Sequence, residues 1–179
     1  MNRTLTALAL AFALVPSAWA QEHEGSHWHV SGANEQAFMT TNIHKAQKLD
    51  DGTILASSAM YFSTTQQVGS SKVDFAVTVE QFDCAQPYRY RTVAAEGYIA
   101  HVEPPVFKSK DLKAPWGTAE ADTLAGSRWN MVCKGIPERT ALYDVETHEQ
   151  VMDKYRASTQ GSGMDLPPEA EQILRDLSI

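Results

Sequence analysis

Two cysteines, Cys84 and Cys133, are the residues of this 179-residue sequence with the clearest chemistry. Two cysteines in an exported chain most often form one disulfide. A bond between them would close a loop of about 50 residues and stabilise the fold by about 4 kcal/mol. The alternatives are two free thiols, or a bond to another chain. If the two cysteines pair, neither is left to act as a nucleophile.

Three histidines near the N-terminus, His23, His27 and His29, are candidate metal ligands. On a strand, His27 and His29 would point the same way and share a metal ion. If the mature chain starts at Gln21, His23 becomes its third residue, and this arrangement can hold Cu(II) in a square plane. No carboxylate or cysteine completes a zinc set at a recognisable spacing. The sequence therefore predicts a solvated terminus, with no metal site and no cofactor.

The other histidines are the nearest candidates for acid–base catalysis. His44, His101 and His148 lie far apart in the sequence, and no partner is implied for any of them. A serine nucleophile elbow and a phosphate-binding glycine loop are both missing. We therefore expect a protein that is not an enzyme.

Alternating apolar residues predict the elements that must position these side chains. The clearest alternation places Val73, Phe75, Val77 and Val79 on one side of a strand. Asp50-Asp51-Gly52 predicts a turn between two strands. Strands are predicted over residues 36–44, 53–62, 73–82, 88–95 and 98–102. Such a pattern indicates an antiparallel sheet of about five to six strands in an α+β domain.

One predicted strand carries arginines on one face and tyrosines on the other. Arg89 and Arg91 share a face opposite Tyr88 and Tyr90. Arginines in this pattern can bind nucleic acid or a carboxylated ligand. We interpret them instead as a solvated face, because the chain carries a net charge of −7.

The following segment predicts a loop and then a helix. Residues 103–117 contain Pro104, Pro105 and three lysines (Lys108, Lys110 and Lys113), and they are predicted to be irregular. Thr118 is the predicted helix cap. The helix presents Trp129, Val132 and Cys133 on one face, which we expect to pack on the sheet. Residues 144–157 and 169–179 are two further predicted helices in a C-terminal tail, 137–179, that is partly flexible.

The first 20 residues have the order of a secretory signal peptide. A positive start at Met1-Asn2-Arg3 precedes an apolar run from Leu5 to Val15. Ala18-Trp19-Ala20 then gives a cleavage site between Ala20 and Gln21. An uncleaved anchor or a buried helix is the alternative. The expected organisation is a signal peptide at 1–20, an α+β domain at 21–136 and the tail.

An exported acidic chain excludes several classes of partner. The charge of −7 disfavours nucleic acid and anionic lipid surfaces. No second apolar stretch has the length of a membrane span. The first apolar run is followed by no cysteine, so a lipid anchor is not expected.

An ordered set of residues resembles the bacterial surface-adhesin protein E family. The set comprises Phe82-Asp83-Cys84, Tyr88-Arg89, Pro115-Trp116 and Cys133, and the resemblance covers residues 28–135. It implies an antiparallel sheet with a C-terminal helix tethered to one face by the disulfide. It also implies binding of host matrix or serum proteins. This chain departs from the family in lacking a lipidation cysteine and in extending far past Cys133.

These observations lead to three hypotheses of function. The first is a non-enzymatic binding module for a protein ligand in the periplasm, or secreted or at the cell surface, of a Gram-negative bacterium. The second is a structural or accessory protein of the periplasmic envelope, for which a homodimer is one option. The third is a metal-binding periplasmic protein that uses the N-terminal histidines.

Overall fold

The structure is a computed structural model that describes residues 26–137, 142–145 and 147–159. The elements in chain order are β1 (Ser26–Ala33), β2 (Ala37–Lys48), β3 (Ile54–Val68), β4 (Ser71–Asp83), β5 (Arg89–Ile99), β6 (Val102–Lys110), β7 (Gly117–Thr118), α1 (Leu124–Lys134), β8 (Leu142–Val145) and α2 (His148–Thr159). The expected signal peptide, with its cleavage point between Ala20 and Gln21, lies outside these residues, as does the helix expected at 169–179.

One antiparallel sheet contains all of these strands. Its order is β6-β5-β4-β3-β2-β1-β8, and the two-residue β7 pairs with β5 beside β6. The first six strands follow one another as a meander, because each is joined to the next by a short turn. The turn at Gly52, which has a φ of 83°, joins β2 to β3 as the sequence predicts. The antiparallel sheet is confirmed, with more strands than the sequence indicates.

The two helices lie on opposite faces of this sheet. Successive residues of β4 point to opposite faces. Phe75 and Val77 belong to a core cluster with α2, whereas Phe82 belongs to a cluster with Trp129 of α1. We call the two surfaces the α2 face and the α1 face.

The α1 helix begins five residues later than predicted. Thr123 caps it, and its Oγ1 accepts a hydrogen bond from the backbone N–H of Gly126 at 3.1 Å. Thr118, the predicted cap, instead pairs with Arg89 in the sheet. The helix ends at Lys134, because Gly135 adopts a φ of 98°. The expected packing of Trp129 on the sheet is confirmed.

The disulfide joins the end of β4 to the end of α1. Cys84 and Cys133 are bonded, and their Cα atoms lie 5.3 Å apart. The expected pairing of strand and helix is therefore present. Within the described ranges, no helix combines the length and the apolar character needed to cross a bilayer.

The described part of the stretch after residue 137 belongs to the domain core. Strand β8 pairs with β1, and α2 places Val151, Met152 and Tyr155 in the core cluster of the α2 face. The described residues of the expected tail, 137–179, thus share a sheet and a core cluster with the domain expected at 21–136. The helix predicted over 144–157 starts later than expected, because Leu142–Val145 forms the edge strand β8 and α2 begins at His148.

Two further corrections concern strands that the sequence conceals. Residues 26–33, expected to be solvated, form β1, and its Trp28 and Val30 are buried. Residues 102–110, expected to be irregular, form β6. Prolines are tolerated there because an edge strand pairs on one side only. The break predicted between the strands at 88–95 and 98–102 is also absent, since β5 continues through Gly97 and the ring of Phe107 packs against this glycine.

Candidate functional site

A row of basic side chains lies on the α2 face at the β5–β6 edge of the sheet. Directly paired residues of antiparallel strands share a face. Arg91 pairs with Gln81 and Arg89 with Asp83, while Lys108 pairs with Glu96 and Lys110 with Ala94. The pairing places all four basic residues on the side of the sheet that carries α2. We call Arg89, Arg91, Lys108, Lys110 and the nearby Trp116 the basic edge.

The guanidinium of Arg91 is fixed by the buried amide of Gln81. Gln81 Oε1 accepts hydrogen bonds from Arg91 Nε at 2.9 Å and from Nη2 at 2.6 Å. The amide nitrogen of Gln81 donates to Thr53 Oγ1 at 2.6 Å. Both ends of the Gln81 amide are thus in use, and this orients Arg91 on the sheet.

The carboxylate of Asp51 terminates this chain of hydrogen bonds. It accepts from the Gln81 amide at 3.2 Å and from the backbone N–H of Thr53 at 3.0 Å. Hydrogen bonds from the hydroxyl and the backbone of Thr53 lower the pKa of Asp51, and the charge of Arg91 adds to the effect. Asp51 is therefore ionised at neutral pH and reinforces the orientation of Arg91.

The loop between β6 and β7 brings Trp116 against both arginines. Asp111 donates its backbone N–H to the carbonyl of Val93 at 2.9 Å, and Arg91 Nη1 donates to the carbonyl of Ala114 at 3.4 Å. These contacts hold the loop on β5. The guanidinium carbons of Arg89 and Arg91 each lie 4.7 Å from the centre of the Trp116 ring. Each distance is that of a cation–π contact.

The basic edge keeps donor capacity and positive charge available to a ligand. Arg89 Nη1 contacts Asp83 at 3.0 Å, and Lys108 contacts Glu96 at 3.0 Å. In the part of the chain that the structure describes, Lys110 forms no ion pair. A guanidinium carries more N–H donors than these bonds use. An anionic group is the ligand that such an arrangement favours.

The histidines do not come together as one site. His29 Nε2 lies 3.1 Å from His44 Nε2, and His101 Nε2 lies 3.2 Å from an Asp153 carboxylate oxygen. His148, the first residue of α2, is buried, and its Nδ1 lies 2.8 Å from the hydroxyl of Tyr61. The histidines named as acid–base candidates are therefore in three separate places.

The metal hypothesis is tested only in part. His23 and the side chain of His27 lie outside the described residues. His29 approaches His44, a pairing that the strand spacing did not suggest. Over 28–137 and 147–159, no three side chains of His, Cys, Asp or Glu gather as metal ligands do.

Sequence reasoning found the components of the basic edge but not the edge itself. The period of two placed Arg89 and Arg91 on one face. Lys108 and Lys110 were assigned to a loop, so no common face with the arginines was predicted. The spacing of Lys108, Ser109 and Lys110 is the signal that a strand reading would have used.

Comparison with known proteins adds no relative to this description. No protein-family model, no curated protein and no solved structure matches the chain.

Proposed function

We propose that this protein is an exported, non-enzymatic binding module that takes a protein ligand on its basic edge. The observation that carries the proposal is the alignment of Arg89, Arg91, Lys108 and Lys110 on one face of an outer strand pair. The chain as a whole has a charge of −7. The basic edge therefore differs in sign from the chain as a whole, and this difference favours an anionic ligand at that surface.

Export is supported by two features. The order of residues 1–20 is that of a signal peptide. The bond between Cys84 and Cys133 belongs to an oxidising compartment such as the bacterial periplasm. The resemblance to surface-adhesin protein E supports a binding role. Two of the residues that carry this resemblance, Arg89 and Trp116, are in contact at the proposed surface.

A pull-down with the chain from residue 21 to residue 179 tests this function. Host matrix and serum proteins form one pool of prey, and a bacterial envelope extract forms the other. The variant K108E/K110E serves as the second bait. We expect a ligand that the natural bait captures, that the variant loses, and that binds the natural protein directly after purification.

The control variant is K48E/K72E, which changes the net charge equally at two exposed lysines of β2 and β4 that are not part of the basic edge. It should retain the ligand. Capture from the host pool supports an adhesin role, whereas capture from the envelope extract alone supports an accessory envelope protein. If both variants retain every captured protein, the basic edge is not the binding surface and the proposal is wrong.

A further inference from the structure

Strand β6 is an outer strand whose backbone hydrogen-bonding groups point into solvent at two lysines. Among the strands that the structure describes, it pairs with β5 alone. Asp111, just beyond its end, donates its backbone N–H to Val93 of β5. In an antiparallel pair, alternate residues face the neighbouring strand. Ser109 and Phe107 therefore face β5, and the backbone groups of Lys108 and Lys110 face outward.

The side chains of these two lysines share the α2 face with Arg89 and Arg91. Lys108 and Lys110 are exposed and separated by one residue. Alternate residues of a strand are about 7 Å apart. An added strand with acidic residues at alternate positions would match both the outward backbone groups and the spacing of the lysines.

We propose that an extended acidic segment of the ligand protein adds to the sheet as an antiparallel strand beside β6. This inference rests on the proposed function and specifies how the basic edge is used. Each acidic residue opposite Lys108 or Lys110 exchanges a pair of backbone hydrogen bonds with it. Its carboxylate lies on the α2 face against the lysine ammonium group. Acidic residues farther along the segment reach Arg89 and Arg91.

Features of β6 oppose other occupants of this edge. Pro104 and Pro105 have no backbone N–H, so pairing is confined to the end of the strand near Lys108 and Lys110. A second copy of the chain pairing through β6 would place lysine opposite lysine, and like charges directly opposite are destabilising. The edge therefore favours an acidic strand over self-association.

A set of defined peptides tests the pairing. The probe is the capped heptapeptide Thr-Glu-Val-Glu-Val-Glu-Thr, and its affinity for the chain of residues 21–179 is measured by calorimetry. A peptide of the same composition in the order Glu-Glu-Glu-Val-Val-Thr-Thr is the matched control. We expect the alternating peptide to bind more tightly, by a factor on the order of ten.

Backbone methylation separates strand addition from attraction between charges alone. In the proposed arrangement the glutamate N–H groups face β6 and the valine N–H groups face solvent. Methylating the glutamate nitrogens should abolish binding, and methylating the valine nitrogens should leave it unchanged. If both methylated peptides lose binding equally, or if neither loses it, the proposal is overturned.

Amide hydrogen exchange gives a second measurement on the protein itself. The alternating peptide should slow exchange of the Lys108 and Lys110 amides, and K108E/K110E should bind it at least about tenfold more weakly than K48E/K72E does. If the peptide slows exchange at neither amide, strand addition is contradicted. Preferential binding of a DNA oligonucleotide, or dimerisation that blocks the peptide, also contradicts it. If the pull-down still yields an edge-dependent ligand, the binding function stands without strand addition.

Discussion

At the scale of single residues, the ion pair between Glu80 and Arg128 places two opposite charges in the protein interior. Arg128 of α1 reaches Glu80 of β4, and Arg128 Nε lies 2.9 Å from Glu80 Oε2. Their side chains are only 5% and 3% exposed. Arg128 also lies over the ring of Tyr90, 5.3 Å from its centre.

Removing one member of this pair should be more harmful than removing both. In R128M the Glu80 carboxylate is left buried without a counter-charge, so we expect a loss of about 3–5 kcal/mol in the free energy of unfolding at pH 7. The double variant E80Q/R128M has no buried charge left and should lose less. Urea unfolding of the three proteins measures both values. A double variant less stable than R128M would contradict this account.

The pKa of Glu80 gives a pH dependence with a definite sign. Burial raises this pKa above its ordinary value of 4.5, more than Arg128, Thr92 and Ser58 lower it. A raised pKa in the folded state stabilises the fold below the ordinary value, and this contribution is lost as pH rises through the folded pKa.

The stability of the natural protein relative to E80Q should therefore fall as pH rises from below 4.5. Urea unfolding of both proteins between acidic and neutral pH measures this difference, and other titrating groups cancel in the comparison. A difference that grows with pH would mean that Arg128 outweighs burial.

At the scale of elements, the disulfide tethers α1 to the sheet. Cys84 follows β4, and Cys133 lies in the last turn of α1. Between them are β5, β6, β7 and most of the helix, so the bond closes a long loop. Loss of either sulfur removes the same constraint on the unfolded chain.

We therefore expect C84S, C133S and C84S/C133S to lose the same free energy of unfolding, about 4 kcal/mol. Urea unfolding without reductant measures the three variants, and the natural protein in reductant should match them. A double variant clearly less stable than both single variants would show that each sulfur has a separate structural role.

Local pattern predicted some elements well and others poorly. The alternation of Val73, Phe75, Val77 and Val79 identified β4, because that face of the strand is buried from Val73 to Gln81. Strand β6 was missed because Pro104 and Pro105 are turn signals in isolation. Its strand form depends on pairing with β5, which is a tertiary contact.

At the scale of the whole molecule, the C-terminal elements β8 and α2 complete the sheet and the core that the earlier strands form. The meander from β1 to β6 leaves the β1 edge open until β8 pairs with it. The α2 helix then covers the apolar α2 face around Tyr61 and Phe75. Neither role is readable from the local sequence, because helix amphipathicity in 148–155 indicates burial but not the surface that is buried.

The same limit applies to the basic edge. Arginines and lysines far apart in sequence become neighbours only when the register of β5 with β6 is known. Types of residue and their period were predictable, whereas their alignment was not, because one residue of slip would move every lysine to the other face.

Removing residues 138–179 should abolish cooperative unfolding of the remaining chain. The deletion takes Val151, Met152 and Tyr155 out of the core and exposes the aromatic side chains that they cover. It also removes the hydrogen bond from the Tyr155 hydroxyl to the carbonyl of Asn34, at 2.9 Å. Urea unfolding followed by tryptophan fluorescence measures the effect, since the buried Trp28 lies in this cluster.

A graded variant and a shorter deletion make this test specific. M152A should unfold cooperatively but lose about 2–5 kcal/mol, because it leaves a cavity in the same cluster. A chain that ends at Thr159 keeps α2 and β8 and should also unfold cooperatively. If the chain that ends at residue 137 unfolds as sharply as the one that ends at Thr159, β1 to β7 with α1 form the folding unit. In that case α2 and β8 are an addition to a fold that is stable without them.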